Sequence, residues 1–224
     1  MGDLTSAIAH QVKQPLVGVA INADAALHWL DNSPPNLDEA RLALARIGRD
    51  ARRAAKIVDA IRALFAAGAC ERDLIDIGEA VREATTSLRA QLREHGITLT
   101  CALDPAAPLV CGNLVQIEQC LCNLILNAIE AMDKAPDGQR DLEVSLGLDA
   151  AGDVLLEVAD SGPGVDPDQV DRLFDAFFTT KPAGMGLGLW VCRAIAELHG
   201  GALTCVAGRA QGARFQLRLP SAQS

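Results

Sequence analysis

The sequence has no tyrosine, and only two tryptophans and five phenylalanines among its 224 residues. A core therefore has to be filled by Ala, Leu, Ile and Val, and with half of all residues hydrophobic there is enough material for one large or two modest domains. Positive charge is also short: 20 Lys and Arg stand against 29 Asp and Glu, a formal net charge of −9. That balance argues against a nucleic-acid partner, whose phosphates call for a basic surface. No apolar run reaches the roughly eighteen residues that a bilayer-spanning helix requires. The N-terminus lacks a basic stretch followed by an apolar core, so no secretory signal is read there. The seven cysteines (Cys70, Cys101, Cys111, Cys120, Cys122, Cys192 and Cys205) show no Cys-x-x-Cys spacing. They read as buried thiols of a reducing compartment rather than as a metal or redox site, and a cytoplasmic location is expected.

Two long heptad patterns are present. Thr5, Ala9, Val12, Leu16, Val19, Ala23, Ala26 and Leu30 step by four and three, and Asn32-Ser33-Pro34-Pro35-Asn36 then breaks the helix. The spacing resumes from Leu37 with Ala40, Leu44, Ile47, Ala51, Ala54, Val58, Ile61 and Phe65. This predicts an antiparallel helical hairpin that cannot bury both seams by itself, and hence a homodimer closing a four-helix bundle. His10 lies on the flank of the first seam, with Gln14 one turn on and Pro15 inside the helix. From the residues alone, both an ordinary surface histidine and a reactive one fit; His28, His95 and His199 read as surface residues. Arg46, Arg49, Arg52, Arg53, Lys56 and Arg62 make the second helix basic outside, either a solvated face or a place for an acidic partner. The composition changes from Gly68 to Asp73, which sets domains at 1–70 and 71–224.

Beyond that boundary the pattern mixes strands and helices. Strands are expected near 74–77, 97–103, 109–111, 142–148, 154–158, 203–207 and 213–219, and helices over 79–94, 114–132 and 187–198. Helices grouped between antiparallel-looking strands predict an α/β two-layer sandwich. Asn123, Asn127 and Glu130 share one face of the 114–132 helix; they either cap a loop or meet a Mg²⁺–phosphate group. The densest run of signals is 157–201. An apolar alternation ends at Asp160, a carboxylate able to accept a hydrogen bond from an adenine amino group, beside Gly162 and Gly164, which let a flat ring approach. Lys181 supplies a cation, and Gly184, Gly186 and Gly188 with Leu187 open a helix whose N–H groups can hold phosphate.

These residues together resemble the catalytic half of a sensor histidine kinase of two-component signalling, in the group whose acceptor helix reads His-Glu-x-x-Gln-Pro-Leu. NLILNAIEAM is similar to the N box, DSGPGV to the first glycine box, LFDAFFTTK to the F box and GMGLGL to the second glycine box. The resemblance implies an α+β chain: a dimerising histidine-phosphotransfer hairpin followed by an ATP-binding sandwich of Bergerat (GHKL) type. It implies His10 as the phosphorylated residue, Asn127 as the Mg²⁺ ligand with Asn123 supporting the phosphate end, and Asp160, Gly162 and Gly164 as the adenine pocket. Lys181, Gly184, Gly186 and Gly188 would form the lid over the phosphates of ATP. The implied partner is the receiver domain of a response regulator, and the implied membrane link is only through a sensor region preceding this segment. Two positions depart from the pattern: Gln11 replaces the acid that follows the histidine, and Lys13 replaces an asparagine. Gln11 can accept a hydrogen bond but cannot act as a base. Slow autophosphorylation is therefore expected, with a kinase-impaired nucleotide-binding scaffold or response-regulator phosphatase as the alternative. Trp190 stands where the family commonly has a small residue.

Overall fold

A computed structural model of the chain describes residues 2–66, 73–133, 138, 140–181, 186–206 and 212–222, with backbone alone for 2–12, 56 and 59–66. The chain divides into two compact units, Met1–Arg62 and Ala63–Ser224. The linker expected from Gly68 lies, through residue 72, outside the described residues.

The first unit is a hairpin of α1 (Gly2–Leu30) and α2 (Leu37–Ala66). Helix α1 runs through Pro15 without interruption. Asn36 starts α2, its Oδ1 accepting the Glu39 N–H at 3.2 Å, and its own N–H returns to the Trp29 carbonyl at 2.9 Å. The expected seams divide in two. Val19, Ala26, Ala40, Ile47 and Ala54 turn inward, whereas Leu16, Leu30, Leu44 and Val58 of the same heptads stay exposed, joined by Val17, Ile21, Leu27, Leu37 and Leu42. Small residues such as Ala26, Ala40 and Ala43 therefore close the hairpin, and Gly18 leaves room for the Asp50 carboxylate, which would stand 2.5 Å from a Cβ there.

The second unit is a five-stranded sheet with helices on one face. Its strands are β2 (Thr98–Leu103), β4 (Asp141–Leu148), β5 (Val154–Asp160), β6 (Ala202–Val206) and β7 (Arg214–Leu219), ordered β2-β4-β5-β7-β6. The pair β2–β4 is parallel and the others antiparallel, so the sheet of the expected two-layer sandwich is mixed. A small antiparallel pair, β1 (Asp73–Ile75) with β3 (Val110–Gly112), stands apart from it. Register aligns the inward residues into rows: Val144, Val158 and Phe215 in one, Leu146, Leu156 and Leu217 in the next. All six are buried, as alternation on a one-sided sheet requires.

Over these rows lie α3 (Ile77–Ser87), α5 (Leu114–Met132) and α6 (Gly188–Leu198), with short α4 (Arg89–Glu94) beside β2. Asp76 caps α3 by accepting the Gly78 N–H at 2.7 Å, starting that helix two residues earlier than the sequence pattern placed it. At Leu88 (φ −96°, ψ 2°) the expected 79–94 helix breaks in two. Helix α5 is central, burying Ile117, Leu121, Leu124, Ile125 and Ile129 against α3, α6 and β5. His199 corrects the surface reading: it is buried, its Nδ1 lies 2.7 Å from the Ile195 carbonyl, and its Nε2 accepts the Asn113 N–H at 3.0 Å. One imidazole thus ties the end of α6 to the start of α5. The cysteines also differ from expectation. Cys120 and Cys192 are buried between α5 and α6, but Cys101 and Cys111 are exposed; Cys70 lies outside the described residues. Among the described residues no helix is long and apolar enough to cross a membrane.

Candidate active site

The inward alternation of β5 (Val154, Leu156, Val158) places Asp160 on the helix side of the sheet at its end. Asp160 Oδ1 accepts two backbone N–H groups, from Gly162 at 2.8 Å and Ala213 at 3.3 Å. Among the described residues both of its hydrogen bonds fall on Oδ1, which leaves Oδ2 for a ligand. A Cβ at Gly162 would stand 2.8 Å from that carboxylate and 3.4 Å from Ala131 of α5. The Gly212 N–H donates to the Gly162 carbonyl at 2.7 Å, and Gly164 (φ +81°) and Gly212 (φ +85°) both occupy the left-handed region that glycine tolerates. Two loops, 160–164 and 212–213, therefore close on one carboxylate. Gly212 and Ala213 were missed in the sequence: a lone Gly-Ala before the last strand reads as an ordinary hairpin. Burial raises the Asp160 pKa above the usual carboxylate range, opposed by the two N–H donors and by the positive charge of Lys181. The Cys205 thiol on β6 is pushed up to about 11 by burial and by the nearby Asp160 charge.

On α5 the amides Asn123 and Asn127 are half-buried and one turn apart, with Glu130 exposed beyond them. Lys181 reaches this face from the segment after β5. Its Nζ donates to Asn127 Oδ1 at 3.3 Å and to Glu130 Oε2 at 2.6 Å. Gly188 opens α6 against the same amide, since a Cβ there would stand 3.8 Å from Asn127 Nδ2. The residue before it, Leu187, provides no side-chain cap to the first turn of α6. Gly186 (φ +63°) is pinned, its carbonyl accepting the Phe177 N–H at 2.9 Å, and a Cβ there would run into Phe177 and Phe178 backbone. Phe177 itself has φ 69°. Gly184 lies outside the described residues.

The structure thus brings Asp160, Gly162, Gly164, Asn127, Lys181, Gly186, Leu187 and Gly188 to one end of the sandwich, with Asn123 one turn away. His10, Gln11 and Gln14 lie on α1 in the other unit; Gln14 is exposed, and the side chains of His10 and Gln11 are outside the description. Trp190 lines a separate cleft of about 250 Å³ with Phe174, Asp175, Arg193 and Glu197.

The sequence profile of the histidine kinase-, DNA gyrase B- and HSP90-like ATPases matches residues 112–223. The chain belongs to that family. Its catalytic domain is of the GHKL type found in two-component sensor kinases. Sensor histidine kinase TmoS of Ectopseudomonas mendocina is 39% identical over 221 residues, covering 98% of this chain and 23% of that protein. Sensor protein FixL of Bradyrhizobium diazoefficiens is 38% identical over 224 residues, covering 99% of this chain and 44% of that protein. The chain spans less than half the length of either relative. Among solved structures, the catalytic domain of histidine kinase ThkA aligns with a TM-score of 0.60 at 29% identity, covering 68% of this chain and 97% of that one.

The GHKL-type site has the chemistry for a nucleotide. A half-buried acceptor stands at one end, helix N–H groups without a cap from Leu187 at the other, and a cation rests on an amide oxygen between them. Among the described residues no group of three His, Cys, Asp or Glu converges to hold a metal. The Asn127 side-chain oxygen is a ligand of the kind that Mg²⁺ takes alongside phosphate oxygens.

Proposed function

We propose that this chain is the catalytic portion of a sensor histidine kinase, which phosphorylates His10 from ATP and passes the phosphoryl group to an aspartate of a response-regulator receiver domain. Residues 1–70 serve dimerisation and phosphotransfer, and residues 71–224 bind ATP. The observation that carries the reading is the meeting of Asp160, Lys181 and Asn127 beside the uncapped start of α6. The similarity to TmoS and FixL extends through the helix bearing His10.

In this reading Asp160 accepts from the adenine amino group, and the N–H groups from Gly188 onward with Lys181 hold the phosphates. Asn127 supplies one oxygen to Mg²⁺, whose role is to neutralise charge on the phosphoryl oxygens. Asn123 occupies the place where water-activating ATPases of this fold carry a glutamate, and an amide cannot take a proton from water. The neutral His10 imidazole attacks the γ-phosphorus in line; the N–P bond forms as the bond to the ADP oxygen breaks. The proton on the other ring nitrogen then departs. Gln11 can hold that N–H through its carbonyl but cannot take the proton, which leaves to water and slows the step.

Dimerisation is supported by the divided heptads. Leu16, Leu27, Leu30, Leu37 and Leu44 lie 42–60% exposed on the hairpin, a surface that a second copy would bury. Arg46, Arg49, Arg52 and Arg53 of α2 are exposed and suit an acidic partner such as a receiver domain. The chain acts on the cytoplasmic side, with any membrane attachment supplied by a sensor region.

The test is incubation with Mg²⁺ and γ-labelled ATP. Acid-labile label that disappears in His10→Ala supports the reading. Tight ATP binding with no label in the wild type would favour the kinase-impaired scaffold.

A further inference from the structure

Glu130, which pairs with Lys181 in the site, has no part in the reaction outlined above. Lys181 sits after β5 in a segment turned by the Thr179 hydroxyl, which accepts the Lys181 N–H at 3.1 Å. Such a lysine could extend into water. Instead its ammonium is drawn onto α5, 2.6 Å from Glu130 Oε2 and 3.3 Å from Asn127 Oδ1, and its side chain keeps only 26% of its exposure. Asn127 and Glu130 are three residues apart, so one helical turn presents an amide oxygen and a carboxylate to the same cation. Of the three ammonium donors, two are committed to α5. The amide oxygen that Lys181 occupies is also the oxygen assigned above to the metal, and two cations on one such oxygen repel.

We propose that Glu130 is a positioning residue: it holds Lys181 on Asn127 until phosphate arrives, and nucleotide binding transfers the ammonium from Glu130 to the phosphates while freeing the amide oxygen. This rests on the nucleotide-binding reading and adds a competition within the site. Glu130 and the phosphates are rival acceptors for one lysine. Phosphate wins most easily when Mg²⁺ accompanies it, because the metal replaces Lys181 at Asn127. Without metal, the Glu130 pair opposes binding. The pair therefore makes the site select the metal-bound nucleotide over the free one.

The test uses the whole chain and the non-hydrolysable analogue AMPPNP, titrated calorimetrically in Mg²⁺ and in EDTA. Wild type is compared with Glu130→Gln, Lys181→Met and the double variant. The carboxylate is half exposed, so Glu130→Gln is expected to fold and to bind AMPPNP in EDTA roughly two- to fivefold more tightly, the scale of one such pair. That gain should vanish in the Lys181→Met background, and the preference for Mg²⁺ should shrink in Glu130→Gln. An equal gain in both backgrounds would mean that Glu130 merely repels phosphate, and overturns the proposal, as does no gain in either. If wild type fails to bind AMPPNP even with Mg²⁺, the nucleotide reading falls and the proposal with it.

Discussion

Replacing Asp160 by asparagine should separate holding the fold from holding the ligand. Asparagine keeps a side-chain oxygen where Oδ1 accepts from Gly162 and Ala213, so the two loops can stay closed. What changes is the second oxygen, which becomes an N–H donor facing an adenine amino group that also donates. Losing a hydrogen bond to a charged acceptor costs about 1.5–3 kcal/mol, so AMPPNP affinity should fall roughly 10- to 150-fold. Stability should move the other way. Burial raises the Asp160 pKa in the folded chain. A carboxyl raised in this way favours folding most while protonated, below its unfolded pKa, and that contribution is lost as pH rises through the folded pKa. At neutral pH the charge is a burden on the fold, and the asparagine variant should melt at the same temperature as wild type or slightly higher. Calorimetric titration and a thermal melt without nucleotide check both halves. Wild-type affinity should also weaken on acidification through that raised pKa, while the variant stays flat. A variant that melts much lower, or one that keeps full affinity, would refute the division of labour between the two oxygens.

Other substitutions probe the remaining parts. Gly186→Ala forces a Cβ into Phe177 and Phe178 at φ +63° and should cost about 1–3 kcal/mol in urea unfolding, with weaker AMPPNP binding. His199→Leu strands the Asn113 N–H, while the Ile195 carbonyl keeps the backbone N–H of residue 199; a loss of about 1–3 kcal/mol is expected in the same assay, with ligand contacts untouched. Leu44→Glu, at a position 55% exposed, should remove the dimer in gel filtration together with helical signal in circular dichroism. Gln11→Glu should raise the rate of acid-labile labelling several-fold, the direction expected of a restored general base.

Much of this was legible in the sequence because the relevant rules are local. Helix α5 ends where the pattern placed it, since Asn113 caps its start and the apolar spacing runs unbroken to Met132. Strands β4, β5 and β7 carry clean alternation. What the pattern missed depends on partners distant in sequence. The parallel pairing of β2 with β4 is set by α5 lying between them in the chain, which no alternation encodes. His199 is buried because Asn113, 86 residues away, needs an acceptor. Gly212 matters because it meets Gly162, which is visible only once β5 and β7 are paired. The heptads show two seams too large for the hairpin to bury, but not which positions it covers: Ala26 and Ala40 are buried while Leu16, Leu30, Leu44 and Val58 stay exposed. Periodicity reports that a face is apolar but does not say which helix covers it.

The alanine seam of the hairpin has a consequence for dilution. Ala26, Ala40 and Ala43 let the helices approach closely, but methyl groups contribute little burial, and among the described residues Ile57 is the one large side chain of the hairpin that is fully buried, most of the others lying on the exposed stripe. Two helices joined that way hold their shape chiefly through whatever covers that stripe. In the proposed dimer, lowering the concentration should therefore melt the hairpin rather than release folded single copies, so that the conformation of the helix bearing His10 would become a property of protein concentration.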